Sequence, residues 1–187
     1  MPASPPDLPQ LFANREAERG ALHTRHLNEQ LVKVLKTNGF DVGFRRGQGQ
    51  YLYDRTDTRY LDLLSGFGVF AIGRNHPVLR DALKSVLDAE LPNLVQMDVS
   101  ALAGILAERL LGYTPWLDKA FFANSGTESV EAAIKFARGA TGRQHIVHCD
   151  HAFHGLTYGA LSLNGDEMFR AGFGPLRRYA GIVLDVY

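Results

Sequence analysis

Residues Phe121 to Arg138 read FFANSGTESVEAAIKFAR: an apolar run, a tight Asn-Ser-Gly-Thr turn and an amphipathic stretch. No other part of the chain constrains the fold as much. Ser125 is an N-cap residue type with Glu128 three positions on, the capping-box spacing in which Glu128 reaches back to the Ser125 N–H. Val130, Ala133, Ile134 and Ala137 recur at helical spacing and predict one buried face. The first amides of such a helix lack intrahelical acceptors and the macrodipole is positive there, so the turn suits a phosphate. Gly126 permits close approach to the backbone, and the hydroxyls of Ser125 and Thr127 are available donors. The same residues also make an ordinary capped helix, and a turn followed by a helix is not a function. Neither Gly-x-x-x-x-Gly-Lys-Ser/Thr nor a strand-to-helix Gly-x-Gly-x-x-Gly accompanies it.

Around this turn the pattern predicts an α/β arrangement. Strand Lys119 to Ala123, helix Thr127 to Arg138 and strand His145 to Cys149 form a unit of the kind that builds parallel sheets, with Ser125 and Phe153 at the carboxyl ends of the strands, where ligands bind. Phe121, Phe122 and Phe136 are expected in its core. Upstream, the Pro-rich stretch Met1 to Gln10 reads as irregular, and Leu22, Leu27, Leu31, Val34 and Leu35 predict a leading helix ended by Asn38 and Gly39. Tyr51, Tyr53 and Tyr60 alternate with polar neighbours as in a two-stranded ribbon. Pro77 opens a helix carrying Leu79, Leu83, Val86 and Leu87, and Ser100 caps another over Ala101 to Leu111, stopped by Gly112.

Composition removes several functions. The 187 residues hold 20 basic and 20 acidic side chains, so there is no charge excess for nucleic acid, and no apolar run approaches a bilayer span. A lone cysteine, Cys149, excludes an intrachain disulfide, and the N-terminus lacks a cationic, apolar leader, which points to the cytoplasm. His145, His148, His151 and His154 recur every third residue beside Cys149, but Gln144 to Cys149 reads as a strand and the next residues as a loop. No metal site is expected there, and His145, His148 and His151 read as surface or packing residues.

A second motif, His151 to Gly165, reads HAFHGLTYGALSLNG just beyond the second predicted strand. Together the two segments resemble the class-III, omega-type aminotransferases, which depend on pyridoxal 5′-phosphate. The resemblance implies that Ser125, Gly126 and Thr127 bind the cofactor phosphate and that Phe153 and His154 lie against its pyridine ring. An aromatic face suits a flat heteroaromatic ring, and helix-end amides suit its dianionic tail. Tyr51 to Leu64 (YLYDRTDTRYLDLL) resembles the family's early hairpin, and Ser65 to Pro77 (SGFGVFAIGRNHP) its substrate-side loop, with Ser65, Gly66 and Phe67 facing the substrate. Two positions depart from the pattern: Asp57 stands in a turn that commonly carries Gly, and Arg74 stands where the family usually has the first His of Gly-His-x-His-Pro. Asp tolerates a left-handed backbone, so the first departure is mild.

The resemblance implies a partial fold-type-I architecture: an arm, helix and hairpin of the small domain in residues 1–66, then the start of a mostly parallel large-domain sheet in residues 67–187. It implies a transaminase that moves an amino group between an amino donor and an oxo acid or aldehyde, as a homodimer in the full-length protein. It covers the N-terminal portion only and fades after Gly174, Pro175 and Leu176. Neither the lysine that forms the cofactor imine nor the acid beside the pyridine nitrogen is identifiable: Lys33, Lys36, Lys84, Lys119 and Lys135 fall in other motifs, and Asp185, after Gly181 to Leu184, reads as a terminal strand or tail. The catalytic residues are therefore unknown, and the chain alone is expected to be inactive and prone to associate. A non-catalytic phosphate or pyridoxal-phosphate binding module, or a structural remnant, is the alternative.

Overall fold

A computed structural model describes residues 7–92 and 95–176, which fall into two compact units, Met1–Asn93 and Leu94–Tyr187. The region around Asp185 lies outside the described residues.

In the first unit Asp7 accepts the Gln10 N–H at 3.1 Å and starts helix α1 (Leu8–Arg15), so the helix begins inside the stretch expected to be irregular. The predicted leading helix is two helices, α2 (Arg19–His26) and α3 (Glu29–Thr37). Leu27 leaves the helical region, and the Asn28 side chain accepts the Leu31 N–H at 2.9 Å to start α3 afresh. Asn favours this cap geometry over a helix interior, so a continuous apolar spacing yields to a local side-chain bond. Gly39, with φ +73, follows the end of α3.

A three-stranded antiparallel sheet follows, in the order β1 (Phe44–Gln48), β2 (Tyr51–Asp54) and β3 (Arg59–Leu61). Leu52 faces Tyr60 in the expected ribbon, and Gly47 faces Leu52 on the added strand. The turn between β2 and β3 is organised by Asp54, whose Oδ1 accepts the amides of Thr56 and Thr58, each at 2.9 Å. Asp57 sits there at φ +63, the left-handed backbone foreseen for it. Arg55 fastens the hairpin to the arm by donating to the Glu16 carboxylate at 2.7 Å and the Glu16 carbonyl at 3.0 Å. Helix α4 (Pro77–Asp88) starts at Pro77 as expected.

In the second unit the Ser100 hydroxyl caps α5 (Ala101–Leu111) by accepting the Ala103 N–H. Helix α6 (Gly126–Thr141) runs from the Asn-Ser-Gly-Thr turn to Gly142, which closes it at φ +67, where a residue without Cβ is least strained. Two short helices, α7 (Tyr158–Leu161) and α8 (Glu167–Arg170), complete the described elements. The buried centre comprises Ile134 of α6 with Ala160, Leu161, Ser162, Leu163 and Asn164.

Three expectations change here. Lys119 to Ala123 and His145 to Cys149 pair into no sheet among the described residues. Strands joined by a crossover helix need not be nearest neighbours, and a ladder forms only when an adjacent strand supplies its backbone partners. Phe121, Phe122 and Phe136 are exposed rather than core: Phe121 and Phe136 meet edge to face at 5.2 Å, yet 62% of Phe121 stays open. On α6 Ile134 is buried and Val130 half-buried, while Ala133 and Ala137 are exposed. An apolar stripe is buried only where a second layer covers it, and among the described helices and strands the short α7 makes the main contact with α6.

Candidate functional site

The N-terminus of α6 is capped with one change from the expected geometry. Ser125 Oγ accepts the Glu128 N–H at 3.3 Å, but the Glu128 carboxylate reaches past Ser125 to accept the Asn124 N–H at 2.7 Å. The Ser125 hydroxyl proton is thus left free to donate, and the amides of Gly126 and Thr127 have no acceptor among the described residues. A Cβ on Gly126 would meet open space, so the backbone there is accessible from outside.

The second motif is docked onto this helix start. The hydroxyls of Thr127 and Thr157 are 2.9 Å apart, and the Thr157 N–H donates to Thr127 Oγ1 at 3.3 Å. Glu131, one turn along α6 from Thr127, accepts the Thr157 hydroxyl at 2.6 Å and the Ala160 N–H at 3.1 Å through the same carboxylate oxygen. A Cβ at Gly155, where φ is +130, would overlap the Thr127 side chain and crowd its backbone, so glycine is required there, while one at Gly159 would displace the Glu131 carboxylate. Asn164, fully buried, holds the loop from its other side: its Oδ1 accepts the His154 N–H at 2.6 Å and its amide donates to the Gly155 carbonyl at 3.0 Å.

Phe153 is 58% exposed and meets Phe169 edge to face at 5.1 Å. His154 beside it has a buried Nε2 without a hydrogen-bond partner. Burial, with a smaller contribution from His148 at 6.1 Å between ring centres, holds its imidazole below the ordinary histidine value, favouring the neutral form. The described residues contain no group of histidine, cysteine and carboxylate side chains placed to hold a metal. His151 is an exposed residue whose ring lies 3.6 Å from Asp150.

Ser65, Gly66 and Phe67 lie in the first unit, on a turn with successive positive φ values of 50°, 60° and 57°. Asp62 holds this turn by accepting the Ser65 N–H at 2.9 Å, and Phe67 projects with 90% of its surface open.

The structure brings the turn of Ser125, Gly126 and Thr127 together with the segment that follows Phe153 and His154 through Glu131 and Thr157, and braces that loop through Asn164, three residues the motifs did not single out. The spacing of Thr127 and Glu131, four residues apart on one helix face, was the available signal for the first of these. Thr157 and Asn164 act across sequence separations that no local pattern encodes.

Residues 34–184 match the family model for Aminotransferase class-III, which extends beyond Leu176, where the motif resemblance fades. Aminotransferase PigE of a Serratia species is 38% identical over 170 residues, covering 89% of this chain and 20% of that protein. The acetylornithine aminotransferase of Aquifex aeolicus is 41% identical over 140 residues, covering 72% of this chain and 37% of its own. The chain therefore spans well under half the length of these relatives. Among solved structures, the taurine:2-oxoglutarate aminotransferase of Bifidobacterium kashiwanohense, in complex with PLP and glutamate, has a TM-score of 0.75 at 28% identity, covering 90% of this chain and 38% of that one. The adenosylmethionine-8-amino-7-oxononanoate aminotransferase of Methanocaldococcus jannaschii has a TM-score of 0.76 at 26% identity, covering 90% of this chain and 40% of that one. With a family match across most of its length and part of the α/β architecture of fold-type-I, pyridoxal-phosphate-dependent transaminases, this chain belongs to the class-III aminotransferases.

Proposed function

We propose that these residues supply the phosphate and ring contacts of a pyridoxal 5′-phosphate site, and that the protein they belong to transfers amino groups between an amino donor and an oxo acid or aldehyde. The observation that carries this reading is the free donor set at the start of α6, the Ser125 hydroxyl and the amides of Gly126 and Thr127, tied through Thr127 to the loop bearing Phe153 and His154. The unpartnered Nε2 of His154 and the open ring of Phe153 fit a polar heteroaromatic group, as the helix-end amides fit a dianion. When bound, the cofactor supplies an aldehyde that condenses with amines and a ring that accepts electrons. The residues of this chain then have defined tasks. Ser125, Gly126 and Thr127 hold the phosphate, Phe153 covers one ring face, and His154, kept neutral, offers a polar contact without a like charge.

The domain division at 66 and 67, the substrate-facing place of Ser65, Gly66 and Phe67, a homodimer of the whole protein and a cytoplasmic location belong to the same proposal. Its catalytic lysine and ring-nitrogen acid have no assigned residue. The described residues contain no helix long and apolar enough to cross a membrane.

Equilibrium binding of pyridoxal 5′-phosphate and of pyridoxal to the unsubstituted chain, Ser125→Ala and Phe153→Ala tests the reading. Ser125→Ala is expected to weaken only the phosphorylated ligand, by about tenfold for one lost charge-assisted hydrogen bond, and Phe153→Ala to weaken both. Equal affinity of the unsubstituted chain for the two ligands contradicts it. Borohydride reduction followed by peptide mapping addresses the non-catalytic alternative: stoichiometric labelling of one lysine excludes a module without its own imine-forming residue.

A further inference from the structure

Proton bookkeeping among three side chains gives the Thr127 hydroxyl a different task from the one its motif suggests. Thr157 has one hydroxyl proton, and it goes to Glu131 Oε1 at 2.6 Å. In the 2.9 Å contact between Thr157 and Thr127, Thr127 must then be the donor, because two hydroxyl oxygens that close require one proton between them. Thr127 Oγ1 also accepts the Thr157 N–H at 3.3 Å. Its proton and an acceptor site are both occupied within the protein, whereas the hydroxyl proton of Ser125, which only accepts from Glu128 N–H, stays free.

The same Glu131 oxygen takes the Ala160 N–H at 3.1 Å, and that amide belongs to α7, which carries the buried Ala160 and Leu161. One carboxylate thus fastens both ends of the segment from Thr157 to Ala160 to helix α6, and the loop with Phe153 and His154 leads directly into it.

We propose that Glu131 is a positioning residue that acts through Thr157 and Thr127 to pin the Phe153–His154 loop against helix α6, with the Thr127 hydroxyl serving as a strut in that chain and not as a phosphate donor. The proposal deepens the cofactor reading above and rests on it. At the cup, the phosphate is served by the Ser125 hydroxyl and the Gly126 and Thr127 amides. The strut sets where the ring wall stands relative to them.

Binding of pyridoxal 5′-phosphate and pyridoxal to the full chain separates the roles. Thr127→Val and Glu131→Ala are expected to weaken both ligands alike, by roughly five- to tenfold for one hydrogen-bond link, and to leave the preference for the phosphorylated form unchanged. Thr127→Ser and Glu131→Gln, which keep a hydroxyl and an acceptor oxygen, restore binding to within about twofold of the unsubstituted chain. A Thr127→Val chain that loses the phosphorylated ligand selectively overturns the strut, because its hydroxyl would then meet the phosphate itself. A Glu131→Ala chain with both affinities intact overturns the positioning role. Amide hydrogen exchange supplies an arm without ligand: Thr157 and Ala160 lose protection in Glu131→Ala and keep it in Glu131→Gln, and unchanged protection in Glu131→Ala contradicts the proposal. If the unsubstituted chain holds both ligands equally the cofactor reading fails, while the exchange result still decides the strut.

Discussion

Arg74 places Nε and Nη2 on a single oxygen of Asp62, at 2.9 and 2.7 Å, while Asp62 uses its other oxygen to accept the Ser65 N–H. Both side chains are largely withdrawn from solvent, and the guanidinium also lies 4.1 Å from the centre of the Phe70 ring. Arg74 and Gly49 exchange backbone hydrogen bonds at 2.8 and 3.0 Å, so one residue joins the tip of the β1–β2 hairpin to the turn carrying Ser65, Gly66 and Phe67. The residue that departs from the family motif is therefore a fastening point.

The Arg74 hydrogen bond, with help from the Ser65 amide, holds the Asp62 carboxyl below the ordinary carboxylate value. Because the folded state then binds fewer protons than the unfolded one, this contribution is fully present above the unfolded value of about 3.9 and is lost as pH falls through the lower folded value. Exchange protection of the Ser65 and Phe70 amides, corrected for intrinsic rates, is expected to hold at neutral pH and drop in strong acid. Arg74→Gln should produce the same loosening at neutral pH while Leu52 and Tyr60, paired in the ribbon, keep their protection. Equal loss in both places contradicts a local clamp.

At Asp57 the backbone is left-handed, and its ion pairs with Arg45 and Arg46 are exposed at 3.9 and 3.3 Å. Conformation should outweigh charge at this position. Asp57→Ala is expected to cost about 1 kcal/mol and Asp57→Gly to be neutral or stabilising, as read from denaturant midpoints. A destabilisation by Gly as large as that by Ala would assign the energy to the ion pairs.

Asn164 is the one fully buried polar side chain among the described residues, with both ends of its amide bonded to the His154–Gly155 backbone. Asn164→Leu removes those bonds and leaves two buried backbone groups unpaired, so a loss of about 2–5 kcal/mol is expected by denaturant unfolding. Asn164→Asp keeps the acceptor for His154 N–H but presents an acceptor to the Gly155 carbonyl, and should also destabilise. Stability unchanged in both would show that this bridge carries no weight.

Much of the second unit follows from local rules. Ser125 and Ser100 start their helices where capping chemistry places them, and Gly142 ends α6 where a left-handed residue is needed, a stop the motif reading set earlier at Arg138. The first unit was less legible because Asn28 interrupts an apolar spacing that by itself reads as continuous. The predicted strands at Lys119 to Ala123 and His145 to Cys149, and the exposed Phe121, Phe122 and Phe136, failed for a different reason. Pairing and burial depend on neighbouring layers, and a sequence pattern states only the demand for them. At the candidate site the motifs singled out the start of α6 and the Phe153–His154 loop, but not Glu131, Thr157 and Asn164, whose hydrogen bonds join or brace these segments and form only after folding.

In the proposed function the start of α6 and the Phe153–His154 loop form one site for one small ligand. Titrating isotopically labelled chain with pyridoxal 5′-phosphate and following backbone amide signals tests it directly. Gly126, Thr127, Phe153 and His154 are expected to shift together along a single saturating curve, pyridoxal to move the latter pair with much smaller changes at Gly126 and Thr127, and inorganic phosphate to move the first pair. Independent curves for the two segments, or saturation that moves neither, would contradict it.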